Sequence, residues 1–161
     1  VRTISLTKGK VALVDDADYA RASQYKWHAV KRKRTWYPSR LINMGSKRHQ
    51  LFLHAFLLEP MDGLQVDHRD GDGLNCTRAN MRLCTPAENT RNRRRPVTNT
   101  SGYKGVSWHK LRGKWIAWIG LNGRNKYLGL FESKRSAAQA YNEAALKYYG
   151  EFACLNTIGG V

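Results

Sequence analysis

Acidic side chains are scarce. The 161-residue chain has 12 Asp and Glu against 28 Lys and Arg, a formal charge of +16. Such a field opposes compaction by self-repulsion, so a polyanionic partner, nucleic acid first, is its natural explanation. Cysteine is scarcer still. Cys76, Cys84 and Cys154 are odd in number and show no C-x-x-C spacing, which excludes a disulfide framework and a zinc knuckle and leaves reduced thiols. No apolar run approaches 18 residues and no lipidation motif occurs, so neither a spanning helix nor a lipid anchor is expected. The opening VRTISLTKGK lacks the apolar core of a signal peptide. A soluble, cytoplasmic protein is therefore expected.

What is present suffices for folding: 42% hydrophobic and 11% aromatic residues can bury one core or two small ones. The charge is uneven. Residues 1–58 carry a net +9, residues 59–99 a net +1, and residues 100–161 a net +6. Acids gather in the middle, between basic flanks, as suits an acidic metal site held against DNA by its neighbours.

KVALVDD reads as a strand and DADYARASQY as a helix from about Asp16. KWHAVKR and TWYPSRLI read as strands, with Pro38 suggesting an edge or a bulge in the second. QLFLHAFLLEP is helix-competent up to Pro60. LQVDH and NMRLCT are strands around a Gly-containing turn, and Thr85–Pro86 gives an N-cap and first helical position for PAENTRNRRR. After the turn-rich PVTNTSG, three strands (YKGVSWHK, KWIAWIGL, KYLGLFES) precede a helix over 134–149. NGR is a hairpin signal between the last two strands. The expected domains are 1–96 and 97–161.

The middle segment, VDHRDGDGLNCTRANMRLCTPAEN, sets Asp67 beside His68 and follows them with several Asn. Phosphodiester hydrolysis needs an activated water and a cation at the phosphate. Histidine is the base poised near neutral pH, and Asp and Asn oxygens suit Mg²⁺ or Mn²⁺ better than zinc. Asn80 could fix the His68 ring, and Asn89, about one turn into a helix, could face back towards the hairpin. The same residues are also ordinary turn and cap formers, and on residue types alone the two readings stand side by side. A calcium loop is excluded, because position 12 counted from Asp70 is Met81.

VDHRDGDGLN…ANMRL…PAENTRNRR, with LHAFLLEPMDGLQ before it, resembles the HNH endonucleases, in particular the phage homing branch whose last motif position is Asn. The match spans about residues 50–95. It implies a ββα-metal (His-Me finger) core over about 64–95 and cleavage of double-stranded DNA with one Mg²⁺ or Mn²⁺ per site. Position by position, it makes Asp67 and Asn89 metal ligands, His68 the general base and Asn80 the residue orienting it. Asn89 stands where many relatives carry His. His54, fourteen residues before His68 on an apolar helix, is expected to be a packing histidine.

Phosphate contacts are expected from Arg91, Arg93, Arg94 and Arg95 and from Lys31, Arg32, Lys33 and Arg34. Towards the C-terminus, aromatic and basic residues interleave on strands, and a sheet backed by one helix leaves one face for DNA. Residues 101–156 resemble the DNA-binding domain of plant ethylene-response factors (APETALA-two type), through the glycines, GKW, YLG, the Ala-rich helix and the final LN. That resemblance implies DNA contacts at Lys104, Ser107, His109, Arg112, Trp118, Gly120, Asn125 and Tyr127. Lys110, Arg124 and Lys126 join them by charge. Ser107, Gly120 and Asn125 replace arginines common in plants, so the plant base preference does not carry over.

The fold expected is therefore α+β: a small N-terminal β/α region leading into the ββα-metal nuclease, then a three-stranded antiparallel sheet packed on one helix. The function expected is a site-specific homing endonuclease, nicking once per site, as a monomer or a dimer assembled on DNA. A DNA-binding regulator with a non-catalytic nuclease-like segment, and a nonspecific or restriction-type nuclease, are the rivals.

Overall fold

Apolar–polar alternation builds the first hairpin, Arg2–Ser5 (β1) antiparallel to Val11–Val14 (β2). Ile4, Ala12 and Val14 turn inward onto helix Asp16–Ser23 (α1), which follows the expected DADYARAS run. The computed structural model describes residues 1–32, 34–96 and 98–159. Two compact units, Val1–Asn89 and Thr90–Val161, divide the chain.

In the first unit, His28–Arg32 (β3), Thr35–Met44 (β4) and Lys47–Phe52 (β5) form an antiparallel sheet in that order. Pro38 was expected at an edge or bulge, yet β4 is the central strand. Pro38 pairs only with Ala29, because pairing with β5 begins one residue later, at Ser39–Phe52. The missing N–H therefore costs no ladder bond on the β5 side. The apolar run was read as helix from Gln50, but its first residues end β5 and the helix is only Leu53–Leu58 (α2). Register pairing with β4 outweighs helix propensity there.

Gln65–His68 (β6) pairs antiparallel with Met81–Cys84 (β7), and Pro86–Arg91 (α3) follows. Thr85 and Glu88 form a reciprocal cap, Glu88 N to Thr85 Oγ1 (3.3 Å) and Thr85 N to Glu88 Oε2 (2.8 Å). The helix stops at Arg91, short of the run to Arg95 expected from sequence. Ile4, Trp27, Leu53, Leu57, Cys76 and Met81 share the core of this unit. Burial pushes the Cys76 thiol up to about 12, which agrees with an inert reduced cysteine.

In the second unit, Val106–His109 (β8), Lys114–Leu121 (β9) and Arg124–Phe131 (β10) form an antiparallel sheet with β9 central. The expected hairpin signal is met at Asn122–Gly123, both with positive φ (49° and 77°). Lys134–Tyr149 (α4), capped by Ser133, packs Ala137, Ala138, Tyr141, Ala144 and Ala145 onto the sheet. Within the turn-rich segment before β8, Asn99 Nδ2 donates to Tyr103 O (2.9 Å) and Val106 O (3.2 Å). No helix among the described residues is long and apolar enough to cross a membrane.

Candidate active site

The β6–β7 register fixes the first contact. Asp67 lies opposite Arg82, and Arg82 donates to Asp67 Oδ2 from Nε (2.9 Å) and Nη2 (2.7 Å). Both side chains are buried, so this is a dry, charge-assisted fork. His68, next along the strand, points the other way. Its ring meets Tyr37 (centroids 5.7 Å) and His54 (5.1 Å, interplanar 85°). His54 in turn stacks on Phe52 at 5.4 Å and 6°.

The loop after His68 is built rather than slack. Asp70 accepts from Asp72 N (2.8 Å), Asp72 from Leu74 N (3.0 Å), and Asp70 Oδ2 from Asn75 Nδ2 (2.9 Å). Asn80 uses both ends of its amide on this loop: Oδ1 accepts from Asp70 N (3.1 Å) and Nδ2 donates to Asn75 O (2.8 Å). The expectation that Asn80 bonds the His68 ring is therefore corrected. Its amide bonds go to loop backbone and not to the ring. Arg78 anchors the far side of the loop by a fork to the buried Asp18 (2.8 Å twice) and by its own N–H to Asp15 (2.7 Å).

Gly73 lets Tyr37 reach the site. A Cβ there would sit 2.4 Å from the Tyr37 ring and 2.6 Å from Trp36 O. Gly73→Ala is expected to lower the unfolding free energy by about 1–3 kcal/mol through overpacking. Urea denaturation measures this, and an unchanged midpoint would mean that Tyr37 moves aside without cost.

Burial lowers the His68 pKa below 6.5, against the pull of Asp70, Asp67 and Asp72 in the other direction. Burial, with His68 beside it, lowers His54 to about 3. Both rings are thus neutral at physiological pH, the state a general base requires. For stability the sign is fixed: below pH 6.5 the unfolded chain takes up a proton that folded His54 refuses. Its contribution is complete above 6.5 and is lost as pH falls from 6.5 towards 3, at no more than about 1.4 kcal/mol per pH unit. The acid-side fall in stability is accordingly expected to be shallower in His54→Phe than in the wild type, read from denaturation midpoints between pH 7 and 4.5.

Asn89 lies on α3. Its Nδ2 donates to Gln65 Oε1 (2.8 Å), and among the described residues its Oδ1 accepts no hydrogen bond. A cavity of ≈ 380 Å³ is walled by Arg32, Tyr37, Phe52, His54, Gln65 and Asn89. Sequence reading missed Arg82 and the Tyr37–Phe52 wall. Only the register of two strand pairs reveals them.

A divalent cation at the phosphate is expected from the sequence. Among the described residues no three His, Cys, Asp or Glu side chains gather to hold one. The expected ligands are one carboxylate (Asp67) and one amide oxygen (Asn89), hard donors of the kind that suit Mg²⁺ or Mn²⁺, with the Asp67 carboxylate buried and paired with Arg82.

The DNA-contact candidates divide. Lys31 lies over Trp36 (5.8 Å), and Arg32 donates to Gln50 Oε1 (2.8 Å). Arg34, Arg93, Arg94 and Arg95 are exposed, while Lys33 lies outside the described residues. Arg91 lies over Tyr149 (5.3 Å), and its carbonyl accepts from Lys104 Nζ (2.6 Å). In the sheet, Ala117 and Ile119 pack towards α4, so alternation turns Trp118 away from it. Tyr127, opposite Trp118, and Ser107, opposite Ile116, share that outer face, with His109 opposite Lys114. Gly120 and Asn125 are exposed and paired there, and Lys110, Arg112 and Arg124 are exposed at strand ends. Two candidates have partners within their own unit. Lys126 is in register with Ile119, on the helix side, and donates to Tyr148 Oη (2.8 Å). Lys104 is half-buried, with its ammonium on the Arg91 carbonyl and its pKa lowered by desolvation.

A buried carboxylate–histidine pair closing a strand, on a strongly basic chain, defines a candidate phosphodiesterase site. Comparison with known proteins is specific. Residues 58–91 match the family model described as HNH endonuclease. The chain is 30% identical over 154 residues to an uncharacterized HNH endonuclease of Acanthamoeba polyphaga mimivirus, covering 94% of this chain and 77% of that one. The chain belongs to the HNH endonuclease family. Protein 3.8 of Escherichia phage T7 is 44% identical over 62 residues, covering 38% of this chain and 51% of that protein. An AP2-like ethylene-responsive transcription factor of Arabidopsis thaliana is 37% identical over 70 residues, covering 44% of this chain and 14% of that protein. No solved structure matches the chain.

Proposed function

We propose that the chain is a metal-dependent DNA endonuclease of the ββα-metal, HNN type, acting as a site-specific homing enzyme that nicks one strand per site. One observation carries the reading: within the family-matched segment, β6 ends on Asp67 and His68, both buried, one held by Arg82 and the other kept neutral. His68, a neutral imidazole, takes the proton of the attacking water. Asp67 and Asn89 would hold a single Mg²⁺ or Mn²⁺, which when bound supplies positive charge to the scissile phosphate and the departing oxygen. Arg82 holds the Asp67 carboxylate in place. Asn80 fixes the loop that carries the backbone on from His68.

The outer face of the β8–β9–β10 sheet is the docking surface in this reading, with Ser107, His109, Trp118 and Tyr127 towards double-stranded DNA and Arg112 and Lys110 on phosphate. One active site cuts one strand, so a double-strand break needs a dimer assembled on DNA or a second encounter.

Similarity to plant transcription factors favours a second reading, binding without cleavage. One assay separates them. Supercoiled plasmid carrying the target is expected to be nicked with Mg²⁺ or Mn²⁺ and to stay supercoiled when EDTA is added. Plasmid that never relaxes in either cation overturns the nuclease reading. Smeared rather than discrete ends from a long DNA overturn the homing part alone.

A further inference from the structure

The rings packed against His68 bear on the angle at which the proposed base meets water. Two aromatic rings, Tyr37 and His54, meet His68, and Phe52 backs both of them. Tyr37 comes from the central strand β4, Phe52 ends β5 and His54 is the second residue of α2. The contacts close on themselves: Tyr37–His68 at 5.7 Å, His54–His68 at 5.1 Å, Tyr37–His54 at 5.6 Å and Tyr37–Phe52 at 5.9 Å, all steeply inclined. Phe52 lies flat on His54. Inclined rings meet edge to face, an arrangement with a preferred angle as well as a preferred distance.

Two features make this cage stiff. Tyr37 is wedged against Gly73, where no Cβ could be accommodated, so its ring cannot slide towards the loop. His54 is kept in plane by the Phe52 stack rather than by hydrogen bonds, since its buried Nδ1 has no partner among the described residues. The cage also walls the cavity that Asn89 lines.

We propose that His54, braced by Phe52 and Tyr37, is a positioning residue that sets the orientation of the His68 imidazole for proton abstraction. The proposal rests on the reading of His68 as the base. His54 acts through its ring face, so an aromatic replacement preserves its action and an aliphatic one of similar bulk does not.

The test is a double-mutant cycle on Mg²⁺-dependent plasmid nicking, with folding checked by circular dichroism. His54→Leu fills the space without a ring. It is expected to fold and to lose about 10- to 100-fold in kcat with KM changed less than about twofold, as misorientation of a reacting group does. His54→Phe is expected to stay within about threefold of the wild-type kcat. In a His68→Ala background, His54→Leu is expected to cause no further loss, because its effect passes through His68. Wild-type kcat in His54→Leu, a loss confined to KM, or an additive loss in the double variant overturns the proposal. If His54→Leu does not fold, the same three readings on Tyr37→Leu decide it. Wild-type cleavage by His68→Ala alone would instead overturn the assignment of the base.

Discussion

His68→Ala is expected to cut Mg²⁺-dependent nicking by about 10²- to 10⁴-fold, the usual contribution of a positioned general base. Affinity for the same DNA should be nearly unchanged. The argument runs from burial. His68 is 4% exposed and desolvation keeps it neutral, although three aspartates nearby would otherwise favour its charged form. No other described histidine can substitute from the same place: His54 is held by the Phe52 stack and by burial, with its pKa near 3. Asp67 and Asn89 are untouched by the substitution, so any divalent cation they hold remains. The measurement is the single-turnover nicking rate of plasmid, set beside the binding isotherm in EDTA. Equal rates for the variant and the wild type would remove His68 from the chemistry. Equal loss of rate and of binding would make it a structural residue.

The second large effect falls on Arg82. Arg82→Met leaves the Asp67 carboxylate buried without its fork, and breaking such a pair typically costs about 3–5 kcal/mol. Asp67→Leu combined with Arg82→Met removes both charges together, and an apolar pair of similar volume commonly restores most of that stability. The double variant is therefore expected to be far more stable than Arg82→Met and yet inactive, because the proposed ligand is gone. Chemical denaturation and plasmid nicking, run side by side, separate the two roles. If Arg82→Met is as stable as the wild type, water reaches Asp67 and the fork is not a dry one. If the double variant cleaves, Asp67 holds no metal that matters.

Much of the backbone was legible beforehand. α1, β6, β7 and the second unit's three strands and helix fall where apolar periodicity, the Thr85–Pro86 cap and the Asn122–Gly123 turn place them. Those signals are local, carried by residues a few positions apart. Two of the failures share one cause. Pro38 in a central strand and the strand ending at Phe52 both depend on which strand pairs where, and register is a non-local property.

The candidate site shows the same division more sharply. By itself the sequence determined the residue types, the adjacency of Asp67 and His68, the basic flanks and the resemblance that names their roles, because a motif is a pattern along one chain. Only the tertiary structure decided their partners. Arg82 met Asp67 because antiparallel pairing set residues fifteen positions apart face to face. Asn80 turned to the loop, where its amide oxygen and nitrogen each bond a backbone group. Tyr37 and His54 closed on His68 from β4 and α2, with Phe52 of β5 behind them. Lys126 was drawn onto its own unit because alternation and register, not charge, set the direction of a side chain on a sheet. Charge along the chain says what a protein attracts, and packing in three dimensions determines which charges remain to meet it.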